Sequence, residues 1–248
     1  MDEERELVDD AYGNRDNLPF DINMHKGLTV AELREELTRD CDFFHYIGHT
    51  EPEGFECTDG MLDVDSLDRT GIDAFLLNAC RSYHQGLRLI EAGAIGGIVT
   101  LTNIINTEAV RMGGCIARLL NSGFPLQAAL SITREQSILG GQYTVAGDGG
   151  VALTQAESRT PNLLQVDSSG DEFMLDIFTF PTDTAGLGSI YTPWLDGIDE
   201  YFLTPGVLGT FRVNKETLEQ FLQLEDVPVR SGDTDLLWSS TMCNSDLP

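Results

Sequence analysis

Short apolar runs recur through the first two thirds of the chain, separated by stretches whose apolar residues return every three to four positions. Residues 42–48, 74–79 and 94–101 are such runs, and continuous apolar character of that length predicts strands buried on both faces. Val30, Leu33 and Leu37 share one face at helical spacing, and Thr29 with Glu32 three residues on forms a capping-box start. Helices are also predicted over 81–92, over 106–120, and from Pro125, at an allowed first helical position, to about 139. A further helix within 61–73 would join the first two strands. Residues 18–24 alternate like a strand, and 51–60 read as a polar loop. Gly140 and Gly141 break the pattern, after which 143–146 and 151–153 predict a closing hairpin. Buried strands alternating with helices define an α/β class: a mostly parallel sheet covered on both faces.

The texture changes after Gln155. Turn residues at 168–170, 181–183, 186–188 and 205–206 separate short runs at 173–180, 201–204 and 208–213, with one helix over 215–224 that Asn214 can cap. The expected organisation is an acidic segment over 1–18, an α/β domain over 19–155 and a smaller β-rich C-terminal module over 156–248. Trp194, Tyr201, Phe202 and Trp238 are expected in the core of that module, with a docking surface as the other reading.

Charge narrows the partners. Fifteen Lys and Arg stand against 41 Asp and Glu, for a net charge of −26. That balance excludes non-specific binding to nucleic acid or to an anionic membrane, both of which need a basic face. Hydrophobic content of 41% keeps the chain globular. Only two of the basic residues are lysine, Lys26 and Lys215, and the acids are spread along the chain and not gathered in one tail. Acid everywhere with lysine nearly removed resembles proteins of salt-in halophiles and suggests a halophilic archaeon; an ordinary acidic cytosolic protein is the alternative. Self-repulsion of such charge is screened within about 3 Å at roughly molar salt. Five cysteines (Cys41, Cys57, Cys80, Cys115 and Cys243) form no CxxC pair, which argues against a zinc ribbon or a thioredoxin-type motif. The opening MDEERELVDD is unlike a signal peptide, and no stretch reaches 18 apolar residues. A cytoplasmic location with reduced thiols is the expectation.

The candidate chemistry sits at strand ends. His49 follows the run 42–48 and Cys80 follows the run 74–79. Side chains at the carboxyl ends of parallel strands project into the crevice where α/β sheets bind ligands. If the two strands are neighbours, His49 and Cys80 meet there. A cysteine nucleophile needs thiolate character at the moment of attack, which a nearby histidine supplies. Cys80 also stands just before the helix that starts at Arg81, whose N-terminal amides favour an anion. The plainer reading makes Cys80 a small buried hydrophobe and His49 a turn residue.

Three segments decide between these readings: 44–49 (FHYIGH), 75–82 (FLLNACRS) and 92–100 (AGAIGGIVT). With the helix 109–120, the stretch 123–130 and the late 143–148, they closely resemble the CHAT family of caspase-like cysteine peptidases over roughly residues 20–155. Ala79-Cys80-Arg81 also fits the inner positions of the caspase signature. The resemblance implies a caspase-like three-layer αβα sandwich and intracellular endopeptidase activity on a protein or peptide substrate, with no metal and no cofactor. It implies His49 as general base, Cys80 as nucleophile, and backbone N–H groups at Gly48, Thr50 and Cys80 as the oxyanion hole, with His45 and Asn78 in support. The sequence departs from the family at Thr50, where Gly is usual. The His49-to-Cys80 separation is 31 residues, against about 50 in caspases. Only an acidic segment precedes Leu18, where such sheets normally begin with another strand and helix. These departures leave a second reading, a catalytically inactive CHAT domain that binds a protein, and they suggest dependence on a regulatory protein or upstream domain.

Asp59, Asp63, Asp65 and Asp68 lack the spacing of a calcium loop and read as solvated acids. Gly93, Gly96 and Gly97 do not make a dinucleotide fingerprint. His84, four residues after Cys80, is a spare histidine expected at the surface.

Overall fold

The computed structural model describes residues 21–104, 106–137, 140–169, 172–224, 226–232 and 236–242. The acidic segment 1–18 and Cys243 lie outside them. The chain separates into two compact units. One holds the described residues up to Leu153 apart from Ser122–Phe124; the other holds Ser122–Phe124 and the described residues from Thr154 on.

Unit 1 is built on a four-stranded sheet in the order β1-β5-β6-β7. β1 (Cys41–Gly48), β5 (Ile72–Ala79) and β6 (Gly96–Thr100) are parallel, and β7 (Tyr143–Gly147) closes the edge antiparallel to β6. The apolar runs became strands because both of their faces are covered. Phe75 and Leu77 of β5 and Val99 of β6 pack in one cluster with Leu33 and Leu37 of α1 (Val30–Thr38) and Leu89 of α2 (Tyr83–Glu91). Ala74, Leu76 and Asn78 alternate to the other face, where Asn78 meets α3 (Asn106–Asn121). α4 (Leu126–Arg134) packs against β6 and β7. The mixed α/β class with a mostly parallel sheet is therefore what the residues build. The capping box at Thr29 and Glu32 is present, with Glu32 Oε2 accepting the Thr29 N–H at 2.8 Å.

Several expectations are corrected. The described part of 18–24, Asp21–Met24, is exposed and forms no strand. Residues 51–60 are not a plain loop. Thr50–Glu51 (β2), Gly54–Cys57 (β3) and Gly60–Leu62 (β4) form a small antiparallel sheet, held because Phe55 and Leu62 pair across it and are fully buried. No α-helix lies within 61–73, only a 3-10 turn at Val64–Ser66 that Asp63 caps. Residues 151–153 do not pair as a strand. The first turn of α4 takes this region's carbonyls instead: Leu126 N–H donates to Val151 O at 3.0 Å, and Gln127 N–H to Gly149 O at 2.9 Å. An N-terminal turn has amides to satisfy, and a strand edge alone in water does not compete.

Unit 2 is β-rich. Its main sheet runs β12-β9-β8-β13-β14, from β8 (Asn162–Ser169), β9 (Glu172–Thr179), β12 (Gly206–Val213), β13 (Pro228–Ser231) and β14 (Leu237–Trp238). α5 (Lys215–Leu222), capped by Asn214, buries Leu218 and Phe221 in the core of this sheet. β10 (Ser189–Tyr191) and β11 (Phe202–Thr204) make a separate two-stranded sheet. Trp238 is buried and Phe202 packs on the core, but Trp194 and Tyr201 stand in solvent, so the core expectation fails for those two rings.

Candidate active site

β1 and β5 are adjacent and parallel, in a register that pairs Gly48 with Ala79. The residues that follow that pair are His49 and Cys80. Two side chains 31 positions apart thus leave one sheet edge from neighbouring strand ends, where the backbones lie about 4.8 Å apart.

Both ends are held by bonds that sequence reasoning did not identify. On the β1 side, His49 is the single residue between β1 and β2, and its carbonyl accepts from Tyr46 Oη at 2.8 Å and from Glu56 N–H at 3.0 Å. Burial pushes the Tyr46 phenol up, so it stays a donor. Gly48 is required by that phenol: a Cβ there would sit 2.6 Å from the Tyr46 oxygen. Thr50, the departure from the family pattern, is buried, and its Oγ1 donates to the Cys80 carbonyl at 2.7 Å. Its Cβ therefore lies within the packed junction, and its hydroxyl ties the end of β1 to the residue expected as nucleophile.

On the β5 side, the chain turns sharply between strand and helix. Arg81 adopts φ 53°, a left-handed conformation that is uncommon for a side chain of this size. A buried network fixes the turn. Ser82 Oγ donates to Leu77 O at 2.8 Å and accepts from Thr100 N–H at 2.9 Å, and Thr100 Oγ1 donates to Ala79 O. Ser82 N–H in turn donates to Thr100 Oγ1 at 3.2 Å and Arg81 N–H to Thr102 O at 3.1 Å. Those two amides are committed to the fold and are not open to a ligand at this edge. The serine of the NACxS segment was the one sequence signal for this network, and its role is to lock the turn.

The Cys80 thiol is partly exposed and lies along the backbone of Ile104, with Sγ 3.5 Å from Ile104 N and 3.8 Å from Ile104 O. The His49 imidazole is exposed, and no hydrogen bond joins it to Cys80. Among the described residues, His84 lies exposed in the first turn of α2, beside Tyr83.

The two supporting residues behave differently. Asn78 is buried and bridges elements: its Nδ2 donates to Ala109 O at 2.9 Å and its Oδ1 accepts from Tyr143 Oη at 2.7 Å. It fixes β5 against α3 and β7. His45, in the middle of β1 opposite Leu76, has both ring nitrogens shut off from water, and burial lowers its pKa to about 3. It is a neutral packing group. Three aspartates of the 59–68 stretch have structural partners: Asp59 Oδ1 accepts the Val30 N–H at 2.7 Å, and Asp63 and Asp65 both bond Arg88.

No family model matches the chain, and no curated protein matches it. Among solved structures it is similar to gingipain R, an Arg-specific cysteine proteinase, with a TM-score of 0.41 and 13% identity over 84% of this chain and 57% of that one. It is also similar to a complex of the pro- and mature domains of RgpB from Porphyromonas gingivalis, with a TM-score of 0.38 and 13% identity over 84% and 58%. The chain spans a little over half the length of these proteins. At so slight a likeness the chemistry has to be argued from the site itself. No described helix is long and apolar enough to cross a membrane.

Proposed function

We propose that the protein is a caspase-like cysteine endopeptidase of the CHAT type, working in the cytoplasm, with Cys80 as nucleophile and His49 as general base. The observation that supports this is the Gly48–Ala79 register: His49 and Cys80 each follow directly on that pair, at the carboxyl edge of the parallel sheet. His49 takes the Cys80 proton as sulfur attacks the scissile carbonyl, and the carbonyl electrons move to oxygen. That oxyanion is met by backbone N–H groups of Gly48, Thr50 and Cys80, each worth about 3–4 kcal/mol in such sites. Collapse expels the amine, which leaves with the proton from His49. Water activated by His49 then cleaves the thioester and restores the thiol. The tethers at Thr50, Ser82 and Tyr46 hold both backbones at this edge.

A second reading has its own observation. The thiol rests on Ile104, without a hydrogen bond to His49, as it would in a silent domain that binds a protein partner. Alkylation separates the two. At molar salt, the rate of iodoacetamide addition to Cys80 is followed against pH in the wild type and in His49→Ala. The peptidase reading expects Cys80 to react at least tenfold faster than a free thiol near neutral pH, and His49→Ala to abolish that excess. A rate equal to that of a free thiol, unchanged by His49→Ala, overturns it in favour of the silent domain.

A further inference from the structure

The loop joining β10 to β11 and the outer face of that two-stranded sheet expose more apolar surface than any role in the core explains. Ile190 pairs with Leu203, so both leave the same face, and they are 62% and 72% exposed. Trp194 is 78% and Tyr201 75% exposed within the connecting loop. Single exposed apolar residues are ordinary, but a run of them with two aromatic rings marks an interaction surface. A groove of about 530 Å³ opens here, lined among others by Ile190, Tyr191, Trp194, Asp196, Ile198 and Asp199.

Charge selects the occupant. From Thr160 to Phe211 the sequence holds no Lys, Arg or His, and Arg159 stands just before it, next to Ser158, which also lines the groove; Asp196, Asp199 and Glu200 are exposed within the β10–β11 loop. A second copy docked on the same face would set these acids against each other, with Arg159 the single cation in 158–211 to offset them, so self-association is disfavoured. A basic side chain finds both of its partners here: the face of an indole or phenol ring and the carboxylates beside it. Apolar neighbours of that side chain would cover Ile190 and Leu203. The whole chain is acidic, and charge alone would hold a cationic peptide anywhere; the two rings and the groove fix the place.

We propose that the β10–β11 face binds a peptide segment in which arginine or lysine adjoins apolar side chains, as a recognition surface carried by unit 2. It goes beyond the peptidase reading and does not depend on it.

The test uses the full chain as Cys80→Ala, so that hydrolysis plays no part. A fluorescein-labelled peptide of alternating leucine and arginine is titrated by anisotropy, beside the same peptide with glutamine for arginine. Tryptophan emission is recorded as well: Trp238 is buried and constant, so a blue shift reports Trp194. Saturable binding is expected for the arginine peptide with a blue shift, and at least tenfold weaker binding for the glutamine peptide. Trp194→Ala and Tyr201→Ala are each expected to weaken binding at least fivefold, and Trp194→Phe by less. Both positions are exposed, and an unchanged urea midpoint checks that the variants fold. Asp196→Asn with Asp199→Asn should weaken binding far more than Asp42→Asn with Asp167→Asn. Equal binding of both peptides, no effect of the ring variants, or equal effects of the two aspartate pairs overturns the proposal. So does a dimer in sedimentation that Trp194→Ala converts to monomer.

Discussion

Replacing His45 by phenylalanine should make the protein's stability less sensitive to acid, by an amount that follows from burial. The imidazole lies within β1 with both nitrogens away from water, and its pKa falls from 6.5 to about 3 on folding. Because the folded value is the lower one, the unfolded chain binds the proton first. The contribution is fully present above pH 6.5 and is lost as pH falls from 6.5 toward 3. Each unit of the difference is worth about 1.4 kcal/mol. Between pH 8 and pH 5 the wild type should therefore lose about 2 kcal/mol through this one residue. The two proteins share every other residue, so the remaining pH dependence cancels in the comparison. Urea unfolding at fixed molar salt, at pH 8, 6.5 and 5, gives the two stability curves. Wild type should fall about 2 kcal/mol further than His45→Phe. Parallel curves would refute the argument, because they would mean that the imidazole is protonated, or reached by water, in the folded state.

Three further substitutions probe the frame around the site. Gly97→Ala would place a Cβ 2.2 Å from the Phe75 ring and should cost about 1–3 kcal/mol in chemical denaturation; Phe75→Leu in the same chain should recover part of it. Tyr143→Phe removes the donor to buried Asn78 and should lower stability by about 1–2 kcal/mol, while Asn78→Ala should cost more because it also gives up the bond to Ala109 O. Thr50→Val removes the bond to the Cys80 carbonyl; it should cost about 1–2 kcal/mol and slow the alkylation of Cys80, while Thr50→Ser keeps both near wild type.

The parallel sheet was legible because β5 and β6 are covered on both faces and read as unbroken apolar runs, Phe75 and Leu77 turned one way and Leu76 the other. α1 was legible from its capping box, a signal contained within four residues. The sheet β2–β4 was not. Its burial comes down to Phe55 and Leu62, set among glycine and acidic residues that read as loop, and only their pairing shows the strands. Residues 151–153 are a short apolar run that reads as a strand, yet their neighbourhood is taken by the amides opening α4, a tertiary competition that no local pattern records. At the site, the candidate residues could be named from motif spacing and strand ends. The buried hydroxyls of Thr50, Ser82 and Thr100 could not, since a Ser or Thr in sequence does not reveal which distant carbonyl it will meet. Trp194 and Tyr201 misled for the opposite reason: aromatic content usually signals core, and here the rings face outward.

If Cys80 takes the acyl group, an electrophilic substrate analogue should trap it. The protein is incubated at molar salt with a mixture of peptidyl acyloxymethyl ketones varied at the position before the warhead, and peptide mass spectrometry then locates the adduct. Burial pushes the Cys41 and Cys57 thiols up, so their background reaction near neutral pH should be slow. One adduct is expected, at Cys80, formed within minutes and lost in His49→Ala, with casein hydrolysis abolished in step. An adduct spread over the cysteines, or one at Cys80 that forms equally well without His49, would contradict it.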